Sequence, residues 1–276
     1  MSSKHRPLSD AQTDRDHVRH VPQTPQTMAP SYRLSFDDPE FLQHDALRPV
    51  RLQLEMLKPE MILDAQGVHS TVVMFGGARI VAPQAAHTAR TPKLAELASY
   101  YEEARHFAEL ITRASLKDGG HDNVIVTGGG PGVMEAGNKG AQDAGGRSIG
   151  LGIVLPFETA PNAYVTPELS FNFHYFSIRK MHFLLRAAAI TVFPGGFGTL
   201  DELFEALTLI QTQRMQPVPV ILFGKAFWDE IIDWDVLASY GTISAEDLDL
   251  LTFVETAEEA VAAINAWHPP QQVDKL

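Results

Sequence analysis

Short apolar runs alternate along the chain with longer stretches in which apolar residues recur every three or four positions. The runs are TVVMFG (71 to 76), NVIVTG (123 to 128), SIGLGIVL (148 to 155), AITVFPG (189 to 195), VPVILFG (218 to 224) and LTFV (251 to 254). They are apolar throughout, and most end at glycine or proline, which predicts strands covered on both faces. Helical spacing between them predicts helices near 93 to 117, 131 to 144, 178 to 187, 199 to 212, 226 to 238 and 256 to 267. A further helical pattern runs from Leu47 to Leu63, and Pro59 is expected to interrupt it. Strands that alternate with helices predict an α/β fold, a doubly wound and mainly parallel sheet with helices on both faces.

The pattern fades at both ends. Residues 1 to about 30 mix Pro, Gln, Thr, His and both charge signs with few large apolar residues, too little to offset the entropy of ordering. The expected organisation is a flexible N-terminal tail over 1 to 45, a single nucleotide-binding domain over 46 to 268, and a short tail over 269 to 276. A partner-binding arm is the other reading of the first segment.

Composition narrows the chemistry. The 276 residues contain no cysteine, which excludes disulfides, thiolate metal sites and cysteine nucleophiles. A formal net charge of -12 argues against a nucleic-acid polymer as partner, because such surfaces rely on clustered Lys and Arg. A small anion held by backbone amides stays compatible with that charge. No apolar stretch approaches the roughly 20 residues that span a bilayer, so no membrane partner and a cytoplasmic location are expected. The eleven histidines show no metal-binding pairing, and no metal or cofactor is called for.

Two strand-to-helix junctions are rich in glycine: TGGGPGVMEA (127 to 136) and PGGFGTLDE (194 to 202). In a doubly wound sheet, ligands bind outside the carboxyl ends of the strands, where helix N-termini present free amides and a positive dipole end. Neither junction fits a better-known fingerprint. GGGPGVME lacks the lysine of an ATP-binding loop, and valine stands where the dinucleotide motif needs its last glycine. Two such turns at equivalent strand ends point to a nucleotide phosphate.

Glu202 has two readings at this level. Thr199, followed three residues later by Glu202 and then by Leu203 and Phe204, satisfies a capping box, which implies no chemistry. A carboxylate in the first turn, beside glycines that expose amides, also lies within reach of whatever those amides bind. Arg179 and Lys180, in FHYFSIRKMHFLLRA (173 to 187), read either as a solvated helix face or as charges that share the crevice with Glu202.

GGGPGVMEAGNKGA (128 to 141), IRK (178 to 180) and PGGFGTLDELFEALTLIQ (194 to 211) occur in the order and kind that mark the LOG family, which this chain resembles over roughly residues 70 to 255. The resemblance implies a Rossmann-like sheet, a homodimer or larger homo-oligomer, and a nucleoside 5′-monophosphate as the small-molecule partner. Its activity would be a phosphoribohydrolase that cleaves the N-glycosidic bond of AMP or a modified, cytokinin-like adenylate to free base and ribose 5-phosphate. By motif, Arg179 and Glu202 become the catalytic pair. Lys180 and the stretch Gly195, Gly196, Phe197, Gly198 and Thr199 become nucleotide-binding, as do Gly129, Gly130, Gly132, Met134 and Glu135. In the turn FGGAR (75 to 79), Gly76 and Arg79 join them, with Gly77 where family members usually carry a serine.

Bond cleavage at the anomeric carbon builds positive charge on the ribose ring, which a neighbouring carboxylate can stabilise. Two other functions remain in view. A non-hydrolytic sensor or carrier needs the glycine turns but has little use for an acid beside the ribose. Amino-acid decarboxylation would need a pyridoxal-phosphate lysine, and Lys180 stands in no such setting.

Overall fold

The computed structural model describes residues 8–156 and 160–269, so the outermost parts of both expected tails, 1–7 and 270–276, lie outside the described residues. The strands are β1 (Thr71–Phe75), β2 (Val124–Thr127), β3 (Ser148–Ile153), β4 (Ser170–Phe173), β5 (Ala187–Val192), β6 (Val220–Phe223) and β7 (Leu251–Val254). They form one seven-stranded sheet in the order β4-β3-β2-β1-β5-β6-β7, and every pairing is parallel. The fold is therefore the doubly wound α/β class that the alternation of patterns predicts.

The α-helices among the described residues are α1 (Ala11–Val18), α2 (Pro39–Leu42), α3 (Arg48–Ala65), α4 (Pro92–Glu96), α5 (Ser99–Lys117), α6 (Val133–Asp143), α7 (Phe176–Leu184), α8 (Phe197–Gln211), α9 (Lys225–Ile231), α10 (Trp234–Ser239) and α11 (Ala257–Ala266). Successive residues of a strand face opposite sides of the sheet, so each strand supplies two cores. Val73 and Phe75 of β1 join Phe183 of α7, Leu203 and Ala206 of α8, and Trp228 of α9 on one side. On the other side, Val72 and Met74 join Phe107 and Ile111 of α5, Val133 and Ala136 of α6, and Ala257 of α11.

Chain contacts divide the protein into two compact units, Met1–Glu55 and Met56–Leu276. Within the first, Asp10 and Asp38 accept hydrogen bonds from the leading amides of α1 and α2. Arg15 pairs with Asp37 and Arg33 with Glu40. The sheet and the glycine turns belong to the second unit.

Several elements differ from the sequence pattern, each for a local reason. Helix α3 runs through Pro59 without interruption. Burial of Pro59 and Leu63 outweighs the one intrahelical bond that a proline cannot donate. The helix expected over 93 to 117 is two helices, broken at Leu97 and Ala98. The one expected over 226 to 238 is also two, because Asp233 caps a new start by accepting from the Val236 amide. The aromatic stretch FNFHYF contains β4, whose Phe171 and Phe173 point into the core while Ser170 and Asn172 stay exposed. The structure also ends α7 at Leu184 and assigns Ala187 to β5.

The winding reverses at β1. From β1 the chain builds outward through β2, β3 and β4 on one side, then returns to lay β5, β6 and β7 on the other. The turns after β2 and β5 are the two glycine-rich segments, so both lie beside the end of the central strand.

Candidate active site

Three turns meet at the carboxyl end of the sheet: the one after β1 (76 to 79), the one after β2 (128 to 132) and the one after β5 (193 to 196). They meet backbone to backbone. The Phe193 amide donates to the Phe75 carbonyl at 2.9 Å, the Gly77 amide to the Pro194 carbonyl at 2.9 Å, and the Val133 amide to the Gly77 carbonyl at 3.3 Å. Gly132 makes this approach feasible. It sits at φ +70°, in a region that L side chains avoid, and a Cβ there would fall 2.4 Å from the Gly77 carbonyl oxygen.

A buried polar network supports the second turn from beneath. The Thr127 hydroxyl donates to Asn138 Oδ1 at 2.7 Å and accepts from the Gly129 amide at 3.0 Å. Asn138 Nδ2 donates to Ser148 Oγ at 3.0 Å, and Asn162 Nδ2 reaches the Gly130 carbonyl at 2.9 Å. Asn138 is fully buried, so these bonds replace water that cannot enter.

The third turn leads into α8, whose N-cap is Gly196 with no side-chain capping bond. The first intrahelical acceptor, the Gly196 carbonyl, is taken by the Leu200 amide at 3.0 Å. The amides of Phe197, Gly198 and Thr199 therefore have no acceptor within the helix. Gly196 and Gly198 border open space, whereas Gly195 packs on the buried Thr199 side chain. The capping-box reading of Thr199 and Glu202 is thereby excluded: the helix starts two residues before Thr199, which puts Glu202 in the second turn. Phe197 projects outward with 94% of its surface exposed.

Arg179, from α7, reaches across to this turn. It is 8% exposed, and its Nε donates to the Leu151 carbonyl of β3 at 2.7 Å. Its guanidinium lies over the Phe183 ring at 5.1 Å, and Nη1 stands 3.5 Å from Glu202 Oε1. Gly128 clears the space that the guanidinium occupies. A Cβ there would come to 2.5 Å from Arg179 Nη2 and 2.7 Å from the Met134 sulfur.

Glu202 keeps 14% of its side-chain surface open, enough to meet a ligand and too little for water to support a charge. Burial pushes its carboxyl up to about 7, and Asp201 and Glu205 add to the rise, while Arg179 and Lys180 oppose it. At 3.5 Å and through one nitrogen, the arginine does not offset the lost hydration. Glu202 thus changes charge near neutrality, the range suited to moving protons.

The structure brings Arg179, Glu202, Met134 and the Gly195–Thr199 turn together, and it directs other expected residues elsewhere. Glu135 is turned to the α5 side, where it accepts from Tyr101 Oη at 2.7 Å. Burial, and then that bond, push the Tyr101 hydroxyl well above its ordinary range. Lys180 holds Asp201 at 3.2 Å and Glu205 at 2.9 Å. Arg79 is exposed, with no hydrogen bond or ion pair among the described residues, and Gly76 packs on Val133. Residues that motif reading passed over are Gly128, Asn138 and Asn162. Gly128 and Asn138 stood in the quoted GGGPGVMEAGNKGA run, whereas Asn162 lies outside every quoted motif.

A separate cleft of about 450 Å³ is lined by Lys225, Asp229, Trp234, Leu248 and Phe253, among others. Its lysine is already paired with Asp229 at 2.6 Å, and the glycine turns take no part in it. Among the described residues no group of three His, Asp or Glu side chains is placed to hold a metal ion, and no helix is long and apolar enough to cross a membrane.

A family profile described as "Possible lysine decarboxylase" matches residues 134–264. The cytokinin riboside 5′-monophosphate phosphoribohydrolase LOG of Oryza sativa subsp. japonica is 28% identical over 180 residues, 64% of this chain and 70% of that protein. The probable cytokinin riboside 5′-monophosphate phosphoribohydrolase LOGL5 of the same organism is 25% identical over 152 residues, 54% of this chain and 60% of its own length. Over these residues the chain is similar to LOG-type phosphoribohydrolases. Among solved structures, the molybdenum cofactor binding protein of Rippkaea orientalis superposes with a TM-score of 0.46 at 20% identity, covering 71% of this chain and 96% of its own.

Two outcomes follow from this geometry. Gly128→Ala is expected to displace Arg179 and lower stability by about 1 to 3 kcal/mol, read as a drop in melting temperature. For Glu202, a folded value above the unfolded one means that folding takes up a proton between about pH 4.5 and 7, so stability falls as pH rises through that window and levels off above it. Glu202→Gln removes this dependence: it is expected to raise stability by roughly 2 kcal/mol near pH 8 and by little near pH 4.5. Denaturant melts of both proteins at the two pH values check this, and equal stability at pH 8 would refute the desolvation argument.

Proposed function

We propose that the protein is a nucleoside 5′-monophosphate phosphoribohydrolase that converts AMP or a modified adenylate to free base and ribose 5-phosphate. The observation that carries this reading is the buried Arg179–Glu202 pair beside an uncapped, glycine-rich helix start. The similarity to the rice relatives supports it, since they are named as phosphoribohydrolases of a nucleoside 5′-monophosphate.

The 5′-phosphate sits on the free amides of Phe197, Gly198 and Thr199, where the α8 dipole favours an anion. The crevice then brings the ribose to Glu202. The bond between C1′ and the base nitrogen breaks, and its electron pair leaves with the base, which takes up a proton from solvent that the later release of the Glu202 proton replaces. Ring charge grows at C1′, and the Glu202 carboxylate stabilises it. Water adds hydroxide to C1′ and gives its proton to Glu202, whose affinity near neutrality lets it accept that proton and return it. Arg179, fixed by the Leu151 carbonyl, orients Glu202 and counters negative charge on the nucleotide. An adenosine lacking phosphate forgoes the amide contacts and is a poor substrate on this scheme.

The chain also exposes apolar side chains along α7 and α8: Phe176, Met181, Leu185 at the α7 C-cap, and Phe204. We propose that a second copy covers them, giving a homodimer.

Chromatography of purified protein incubated with AMP is expected to show free base, none from adenosine, and a loss of about 10²-fold or more in Glu202→Gln. Binding of AMP without base release from any nucleoside monophosphate would instead make the protein a nucleotide-binding module. Sedimentation equilibrium is expected to give twice the 30.4 kDa chain mass, and a monomer would refute the pairing of these helices.

A further inference from the structure

Lys180 stands next to Arg179 in the motif, and family resemblance groups it with the nucleotide. Its ammonium, however, lies 3.2 Å from Asp201 and 2.9 Å from Glu205, and only 19% of its side chain is exposed. We propose that Lys180 is a positioning residue for Glu202 and not a ligand for phosphate: it binds together α7 and the two carboxylates of α8 that neighbour Glu202. The inference rests on the nucleosidase reading for its consequence, though its geometry does not depend on it.

Charge counting supports the assignment. One ammonium between two carboxylates leaves a net local charge of minus one, which repels a phosphate instead of attracting it. To bind an anion, Lys180 would have to abandon both partners. The free amides at the start of α8 offer phosphate a site with no such cost. The bridge also crosses from one helix to the other, as the Arg179–Glu202 contact does from the preceding residue of α7 to a residue between Asp201 and Glu205 on α8. Lys180 and Arg179 therefore fix the same two helices at adjacent points.

The charged groups that act on Glu202 are Arg179 and Lys180 from α7, and Asp201 and Glu205 from its own helix. Strand β1, which packs against α8, has no charged side chain. Burial sets the main direction, and Lys180 offsets the two acids that would otherwise add to it. With Lys180 removed, Asp201 and Glu205 stand uncompensated beside Glu202, and its proton affinity rises. The charge on Lys180 itself is secure, because the bonds to Glu205 and Asp201 overcome the effect of its burial.

The test uses the full chain with carbon-13-labelled glutamate carboxyls, the Glu202 signal being assigned from Glu202→Gln. Titration by NMR is compared in Lys180→Met, Lys180→Arg and Asp201→Asn, and AMP affinity is measured by calorimetry on the same samples. Lys180→Met is expected to move the Glu202 midpoint up by about one pH unit and Lys180→Arg to restore it. Asp201→Asn, at an exposed side chain, is expected to move it down. AMP affinity in Lys180→Met should stay within about threefold of the parent, about 0.7 kcal/mol. An unmoved midpoint overturns the proposal, as does a tenfold or greater loss of AMP affinity in Lys180→Met. If Lys180→Met does not fold, the opposite shift in Asp201→Asn and its absence in Lys180→Arg decide the question. Failure of the parent protein to bind AMP would sink the nucleosidase reading alone, since the titration series needs no nucleotide.

Discussion

The direct contact of three turns around the end of β1 is the constraint on which the site depends. The Gly77 carbonyl receives the Val133 amide from one side, and the Gly77 amide donates to the Pro194 carbonyl on the other, so two glycine-rich loops are tied to one central residue. Side chains at Gly132 or Gly128 would push these turns apart or drive Arg179 from its place. Loops that individually have many conformations are here determined by each other and by the buried network around Asn138. That rigidity lets α8 begin without a cap while its first amides remain in register with the crevice.

Within this frame, two charges are kept close and poorly solvated. Lost hydration acts against the ionised form of Glu202, and one 3.5 Å contact with Arg179 is too weak to reverse it. The arginine stays oriented because its Nε is bonded to a strand carbonyl, so its position does not depend on the state of Glu202. A carboxyl free to gain and lose a proton beside a fixed cation is the physical asset of this crevice.

Much of the architecture could be read directly from the chain. Continuous apolar runs located six of the seven strands, because a strand buried on both faces leaves a contiguous signal. β4 escaped because its exposed Ser170 and Asn172 dilute the run. The uninterrupted α3 was also hidden, since a proline's local cost is visible in sequence while the packing that outweighs it is not. Motif spacing singled out Arg179, Glu202 and the glycine turns, and the fold puts Arg179 3.5 Å from Glu202. It did not reveal that Glu135 is held by Tyr101, that Lys180 is held by two acids, or that Asn138 and Asn162 brace the second turn. Tyr101, Asn162 and the two acids of α8 come from segments more than twenty residues away from what they hold, so only the folded chain brings them into view.

The position of β1 has a further consequence for assembly. Its neighbours, β2 and β5, begin some fifty and more than a hundred residues later in the chain, and β5 pairs with it only after three intervening strands have been laid down. The contacts that build the crevice are therefore among the most distant in sequence, and loop closure must precede any gain from them. Until β5 pairs with β1, the edge of the central strand is open to pairing with another chain, so the same junction that shapes the crevice also closes an aggregation-prone edge.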